Sequence, residues 1–176
     1  MLMSADDSSV VLVDLQHKLM PAIHQGDAVL SRCLRLAGIA KALDVPVVGT
    51  EQSPDRLGPN AEEIREVCGQ TVVKSHFDAC ADGLVKALSP QRKTAMVAGC
   101  EAHVCILQTA LGLMDAGFQV WVVADAVGSR KVSDRDAALS RLRQNGAQIV
   151  TVEMVAFEWL GNSNHPGFRD VLKLIK

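Results

Sequence analysis

The segment MVAGCEAHVCILQTA, residues 96–110, joins a buried strand to a helix and carries a cysteine at the junction. Residues 94–98 form a short apolar run, which is typical of a strand covered on both faces. Gly99 ends this strand, and a helical pattern begins near Ala102. Cys105 therefore falls in the first turn of a helix, where unpaired backbone N–H groups and the helix dipole favour a thiolate. We predict that Cys105 is a nucleophile, although a free cysteine is more often a small buried hydrophobic residue.

Similar apolar runs recur along the chain and alternate with helical patterns. Strands are predicted at residues 9–14, 45–50, 71–74, 94–98, 118–125 and 147–151. Helices are predicted at residues 27–43, 81–88, 102–116, 133–144, 153–160 and 166–175, and the Pro- and Gly-containing residues 51–60 are predicted to be a loop. This alternation predicts a single domain, residues 1–176, of the α/β fold class. We expect a three-layer α/β/α sandwich, Rossmann-like, around a mostly parallel six-stranded sheet.

Three reactive side chains are predicted to meet at one edge of this sheet. With the strand order 3-2-1-4-5-6, the order reverses between the first and fourth strands, and ligands bind beyond the carboxyl ends of strands at such a point. Asp14 ends the first strand, Lys74 ends the third and Cys105 follows the fourth. Taken singly, such an aspartate is often only a turn former and such a lysine is usually solvated. Their common location favours a shared chemical role.

Motifs at these three places follow one another in a fixed order. They are VLVDLQ at residues 11–16, Lys74 with Phe77, and GCEAHVC at residues 99–105. In this order they resemble the isochorismatase-like cysteine hydrolase superfamily, which includes nicotinamidases, carbamoylsarcosine amidases and ureidoacrylate amidases. The resemblance covers essentially the whole chain. It is closest to the branch of isochorismatase domain-containing proteins, through TEQ at 50–52, LGP at 57–59, residues 102–109 and HPGF at 165–168.

The resemblance implies an Asp–Lys–Cys catalytic triad, carried here by Asp14, Lys74 and Cys105. Asp14 would take the thiol proton and later pass it to a leaving amine, and Lys74 would hold the carboxylate and lower the pKa of the thiol. The resemblance also implies an oxyanion hole formed by the backbone N–H groups of Glu101 and Cys105, around a non-proline cis peptide bond between Cys100 and Glu101. The product of the first stage would be a thioester.

The substrate pocket is predicted to include Leu19, Glu51, Phe77 and His103. His103 lies two residues before Cys105, and residues at that spacing on a helix do not face each other. We therefore interpret His103 as a pocket-lining or local hydrogen-bonding residue and not as the catalytic base. Phe77 is the kind of residue that is more often part of a core than of a substrate contact.

Two departures from related enzymes narrow the expected reaction. Nicotinamidases carry an Asp-x-His-x-x-His metal site after the second strand, whereas residues 51–55 here are EQSPD, so neither a metal site nor a cofactor is predicted. Isochorismatases cleave a vinyl ether and need no cysteine, so Cys105 implies attack on an amide, ureide or similar C–N bond. The alternatives are a non-catalytic binding or regulatory protein that keeps the fold, and a redox-sensitive protein that uses Cys105.

Composition limits the partners. A net charge of −2, a pI near 6.2 and 3% aromatic residues argue against nucleic-acid binding and make a nuclease a poor alternative. No apolar stretch approaches the roughly 20 residues of a membrane span. Five cysteines without CxxC spacing, and an N-terminus without a visible leader, predict a cytoplasmic protein. A small-molecule substrate and a homo-oligomeric state are what the resemblance implies.

Overall fold

The computed structural model describes residues 2–176, and a parallel sheet of six strands forms its centre. The strands are β1 (Ser8–Val13), β2 (Val47–Gln52), β3 (Gln70–Lys74), β4 (Thr94–Cys100), β5 (Gln119–Gly128) and β6 (Gln148–Val150). Their order in the sheet is β3-β2-β1-β4-β5-β6, and every neighbouring pair is parallel. The predicted fold class and strand order are therefore confirmed.

Helices cover both faces of the sheet. They are α1 (Gly26–Ala42), α2 (Pro54–Leu57), α3 (Glu62–Val67), α4 (Leu84–Ala87), α5 (Leu107–Asp115), α6 (Val132–Gln144), α7 (Val152–Leu160) and α8 (Phe168–Ile175). One hydrophobic cluster joins the sheet to α1, α3, α7 and α8, and a second joins it to α4, α5 and α6. Within residues 2–176, no helix is long and apolar enough to cross a membrane.

The two central strands bring the predicted catalytic segments together. All residues of β1 and β4 are buried, and Leu12 pairs with Ala98 and Val13 with Gly99. Gly99 has a φ of 118°, and a Cβ atom there would collide with the carbonyl oxygen of Val13. This close approach requires glycine. The chain therefore leaves β1 and β4 side by side, with Asp14 after the first strand.

The segment at residues 51–60 differs from the predicted loop. Strand β2 continues to Gln52 and is followed at once by α2, and the sequence patterns did not predict α3. The strand is longer because Glu51 and Gln52 pair with Val73 and Lys74 of β3. The side chain of Gln16 also holds this end of β2, because it accepts a hydrogen bond from the Gln52 N–H at 2.8 Å and donates one to the Gln52 carbonyl at 3.0 Å. An amide side chain thus pairs with the end of β2 as a neighbouring strand would.

Two predicted helices are also interrupted. The helix expected at residues 81–88 is a 3₁₀ segment, Ala79–Asp82, followed by the short α4, because Gly83 adopts a φ of 102° between them. The helix expected at residues 102–116 begins as a π-helical turn, Ala102–Ile106, before it becomes α5. This second change lies at the predicted nucleophile.

Candidate active site

A buried ion pair lies where β1 and β3 end. The Lys74 Nζ is 2.8 Å from the Asp14 Oδ2, and both side chains have no exposed surface. Strand β2 lies between these two strands and contributes Thr50, whose hydroxyl donates to the Asp14 Oδ1 at 2.6 Å. The sheet thus brings together two residues that are 60 positions apart in the chain. Each charge is compensated by the other, which a buried charge requires.

The Lys74 ammonium group has partners for all three of its N–H bonds. Besides Asp14, it donates to the Gln52 Oε1 at 2.6 Å and to the His76 carbonyl at 3.4 Å. An ammonium group has three donors and no acceptor. Lys74 is therefore fixed from three directions and is not a solvated lysine.

The Cys105 thiol is buried beside this pair. Its Sγ lies 3.9 Å from the Gln52 Oε1. Burial, and secondarily the Asp14 carboxylate, raise the pKa of Cys105 to about 12, and the opposing effect of Lys74 is smaller. The thiol is therefore protonated at neutral pH, which differs from the thiolate expected from the sequence. The reason is that the Asp14–Lys74 pair is neutral overall and supplies no net positive charge to offset desolvation.

The π-helical turn sets the backbone around the sulfur. The Glu101 carbonyl accepts hydrogen bonds from the N–H groups of Val104 and Ile106, both at 3.1 Å, and these two bonds bypass the Cys105 N–H between them. The peptide bond between Cys100 and Glu101 is cis. π-Helical turns are rare in proteins, and those that occur are often found at functional sites. The Cys105 N–H, which lies between these two donors, makes no hydrogen bond to the Glu101 carbonyl.

Three of the four predicted pocket residues differ in exposure and in their contacts. Leu19 is partly buried against the α1 side of the core, and Phe77 is 50% exposed. The His103 Nδ1 is 2.9 Å from the Ser129 Oγ, so one ring nitrogen takes part in a hydrogen bond within the protein. Its Nε2 lies 4.0 Å from a carboxylate oxygen of Asp134.

The structure does not bring the fourth, Glu51, to the site. Its carboxylate accepts a hydrogen bond from the Asn60 N–H at 2.8 Å. Side chains alternate along a strand, so Glu51 points away from the face that Thr50 and Gln52 share. Gln52, which sequence reasoning did not select, is the residue that reaches Lys74 and Cys105. A strand extended two residues past Thr50 would have identified it from the alternation alone.

Comparisons with known proteins identify the family of this chain. Residues 8–154 match the family model of the isochorismatase domain. The chain belongs to the isochorismatase family of hydrolases. Isochorismatase domain-containing protein 2A of Mus musculus is 38% identical over 173 residues, which covers 97% of this chain and 84% of that protein. The predicted family and branch are thereby confirmed.

Solved structures of similar proteins carry different descriptions. A structure described as MAR1 ribonuclease from Caenorhabditis elegans has a TM-score of 0.94 and 32% identity, covering 99% of this chain and 92% of that one. The Escherichia coli YcaC gene product, described as an octameric hydrolase of unknown specificity, has a TM-score of 0.92 and 26% identity, with 98% and 90% covered. YcaC from Pseudomonas aeruginosa, solved with hexane-2,5-diol and covalent acrylamide, has a TM-score of 0.90 and 27% identity, with 98% and 91% covered.

Proposed function

We propose that this protein is a cysteine-nucleophile hydrolase of a small carbonyl compound, acting on an amide, a ureide or a similar C–N bond other than a peptide bond. The observation that carries the proposal is the fully buried Asp14–Lys74 ion pair beside the Cys105 thiol. Apolar side chains would stabilise a merely structural site at least as well as a buried ion pair. A buried pair next to a nucleophile at the point where strand order reverses therefore favours a chemical role.

In the first stage Asp14 acts as a general base. Its carboxylate takes the Cys105 proton while the sulfur bonds to the substrate carbonyl carbon, and the C=O electron pair moves to oxygen. The raised pKa of the thiol makes this transfer necessary, because the free thiolate is scarce at neutral pH. The backbone N–H groups of Glu101 and Cys105 would hold the oxyanion, and the bypassed Cys105 N–H of the π turn supports this assignment.

In the second stage the same proton leaves with the amine. Collapse of the tetrahedral intermediate breaks the C–N bond, Asp14 protonates the departing nitrogen, and a thioester to Cys105 remains. Water then attacks the thioester and gives a proton to Asp14. The C–S bond breaks, the sulfur regains a proton from Asp14, and the carboxylic acid product is released. Lys74 keeps the carboxylate oriented throughout.

The charge balance of the site indicates the class of substrate. Asp14 and Lys74 neutralise each other, and the Glu101 carboxylate is paired with Arg130 at 2.9 Å. An uncharged substrate meets no unpaired charge from these groups, which supports a neutral amide. Covalent acrylamide in the Pseudomonas aeruginosa relative supports a nucleophilic site that accepts a small amide.

Acrylamide is therefore the probe for a direct test. We expect mass spectrometry to show that Cys105 is alkylated at a rate that is nearly constant across neutral pH, because Asp14 takes the proton. In Asp14→Asn the rate should be lower and should rise about tenfold per pH unit, as a thiol without a base requires. The other four cysteines serve as internal controls, and Cys105→Ala gives the background. If all five cysteines react equally and Asp14→Asn has no effect, the cysteine hydrolase is refuted and a non-catalytic binding protein is favoured.

The description of the Caenorhabditis elegans relative makes ribonuclease activity the alternative to measure in parallel. RNA cleavage that survives Cys105→Ala would refute the cysteine hydrolase as the sole activity.

We also propose a cytoplasmic homo-oligomer. The octameric Escherichia coli relative supports an assembly of several copies, and all five cysteines are free, as in a reducing compartment. Light scattering coupled to size-exclusion chromatography measures the assembly directly.

A further inference from the structure

We propose that Gln52 is a positioning residue for this reaction: it fixes the Lys74 ammonium group against Asp14 and supplies the polar surface that faces the Cys105 sulfur. The proposal rests on the proposed function, since it concerns the same thiol and the same carboxylate. Gln52 is only 9% exposed, and it is the last residue of β2. Its position at a strand end lets one side chain reach Lys74 at the end of β3 and Cys105 after β4.

One oxygen atom of Gln52 contacts both partners. The Gln52 Oε1 accepts a hydrogen bond from the Lys74 Nζ at 2.6 Å, closer than the 2.8 Å between that nitrogen and the Asp14 Oδ2. The same oxygen lies 3.9 Å from the Cys105 Sγ, within reach of an S–H donor. Gln52 therefore connects the cation to the nucleophile.

The orientation of the amide is fixed by a separate hydrogen bond. The Gln52 Nε2 donates to the Ser75 carbonyl at 2.8 Å, so the oxygen, and not the NH₂ group, must face Lys74. A flipped amide would lose this hydrogen bond. It would also point its N–H donors at the Lys74 ammonium group, which has no acceptor for them. The backbone of Gln52 is held as well, because its N–H and its carbonyl both bond to the side chain of Gln16.

The amide suits this position because it accepts a hydrogen bond without carrying charge. Asp14 already neutralises Lys74, so a carboxylate in place of Gln52 would leave a net negative charge beside the sulfur. That charge would oppose the negative charge that develops on sulfur and substrate during attack. Gln52 accepts a hydrogen bond from the Lys74 ammonium group and leaves the Asp14–Lys74 pair neutral.

The test compares the acrylamide reaction of Cys105 across pH in five proteins: wild type, Gln52→Glu, Gln52→Met, Asp14→Asn and the control Gln70→Glu. In Gln52→Glu we expect the rate at neutral pH to fall about tenfold or more, and the acid limb of the profile to move upward by about one pH unit, because the added charge holds protons in the site. Gln52→Met has a similar length and no charge, so it should lower the rate and leave the acid limb in place. Gln70→Glu, the same change at the exposed start of β3, is the matched control and should behave as wild type.

The outcomes separate the two proposals. If Asp14→Asn slows Cys105 and Gln52→Glu keeps the wild-type rate and profile, the role of Gln52 is refuted and the proposed function stands. If Cys105 of the wild type reacts no faster than the other cysteines and ignores Asp14→Asn, the proposed function fails and the role of Gln52 fails with it. Should Gln52→Glu not fold, as judged by circular dichroism, the rate of the neutral Gln52→Met variant decides: an unchanged rate overturns the proposal, and a lowered rate that Gln52→Asn partly restores supports it.

Discussion

Removal of Lys74 from the buried ion pair should destabilise the whole fold. In Lys74→Met the Asp14 carboxylate stays buried and keeps the Thr50 hydroxyl, at 2.6 Å, as a hydrogen-bond partner, but it loses its counter-charge. Breaking a buried pair by removing one partner costs about 3–5 kcal/mol, a large part of the roughly 5–15 kcal/mol by which a domain is stable. Methionine has nearly the length of lysine, so a new cavity contributes little to this loss.

Urea denaturation followed by the fluorescence of the two tryptophans measures the effect. The double variant Asp14→Asn with Lys74→Met removes both charges and should lose less stability than Lys74→Met alone. Lys173→Met, which breaks an exposed pair with Asp170, is the control and should change stability little. The reasoning is refuted if Lys74→Met costs no more than this control, or if the losses of the two single variants simply add.

Two further predictions concern backbone conformation and alkaline pH. Gly99→Ala should lower the free energy of unfolding by more than about 3 kcal/mol, because its Cβ meets a carbonyl of β1. The control Gly146→Ala has a φ of 101° and open space around it. In the same urea titration it should lower the free energy of unfolding by about 1–2 kcal/mol. The pKa of Cys105 is about 12 in the folded protein and about 8.5 in the unfolded chain. The stabilisation that this difference provides is complete below about pH 8.5 and is lost as the pH rises toward 12. Above about pH 9, the free energy of unfolding should therefore fall less steeply with pH in Cys105→Ala than in the wild type, by up to about 1.4 kcal/mol per pH unit. Equal slopes in the two proteins would contradict a Cys105 pKa raised by burial.

The parts of the fold that depend on local pattern could be predicted from the sequence. The apolar runs in β1 and β4 identify central strands, because a parallel strand buried on both faces consists of consecutive apolar residues without polar alternation. Once the strand order is known, the positions of Asp14 and Lys74 at strand ends place both at one edge of the sheet. Their contact therefore follows from topology, and the structure adds the distance.

The properties that depend on contacts between distant segments could not be predicted. The expected thiolate at Cys105 relied on a regular helix start, whereas the structure has a π turn and a thiol whose burial outweighs the effect of Lys74. Gln52 was not selected because β2 reaches it by pairing with Lys74 of β3, a residue 22 positions away in the chain. Sequence spacing does not record such a bond.

The burial of Cys105 also affects how readily its sulfur is oxidised. Peroxide and most electrophiles attack a thiolate, and an accessible thiol of ordinary pKa supplies more of that form at neutral pH than Cys105 does. A raised pKa therefore protects the Cys105 sulfur from oxidants that need the free thiolate. A redox sensor needs the opposite, an exposed sulfur that ionises easily. In the proposed reaction, the same burial that calls for Asp14 as a base keeps the Cys105 sulfur protonated until a substrate binds beside it.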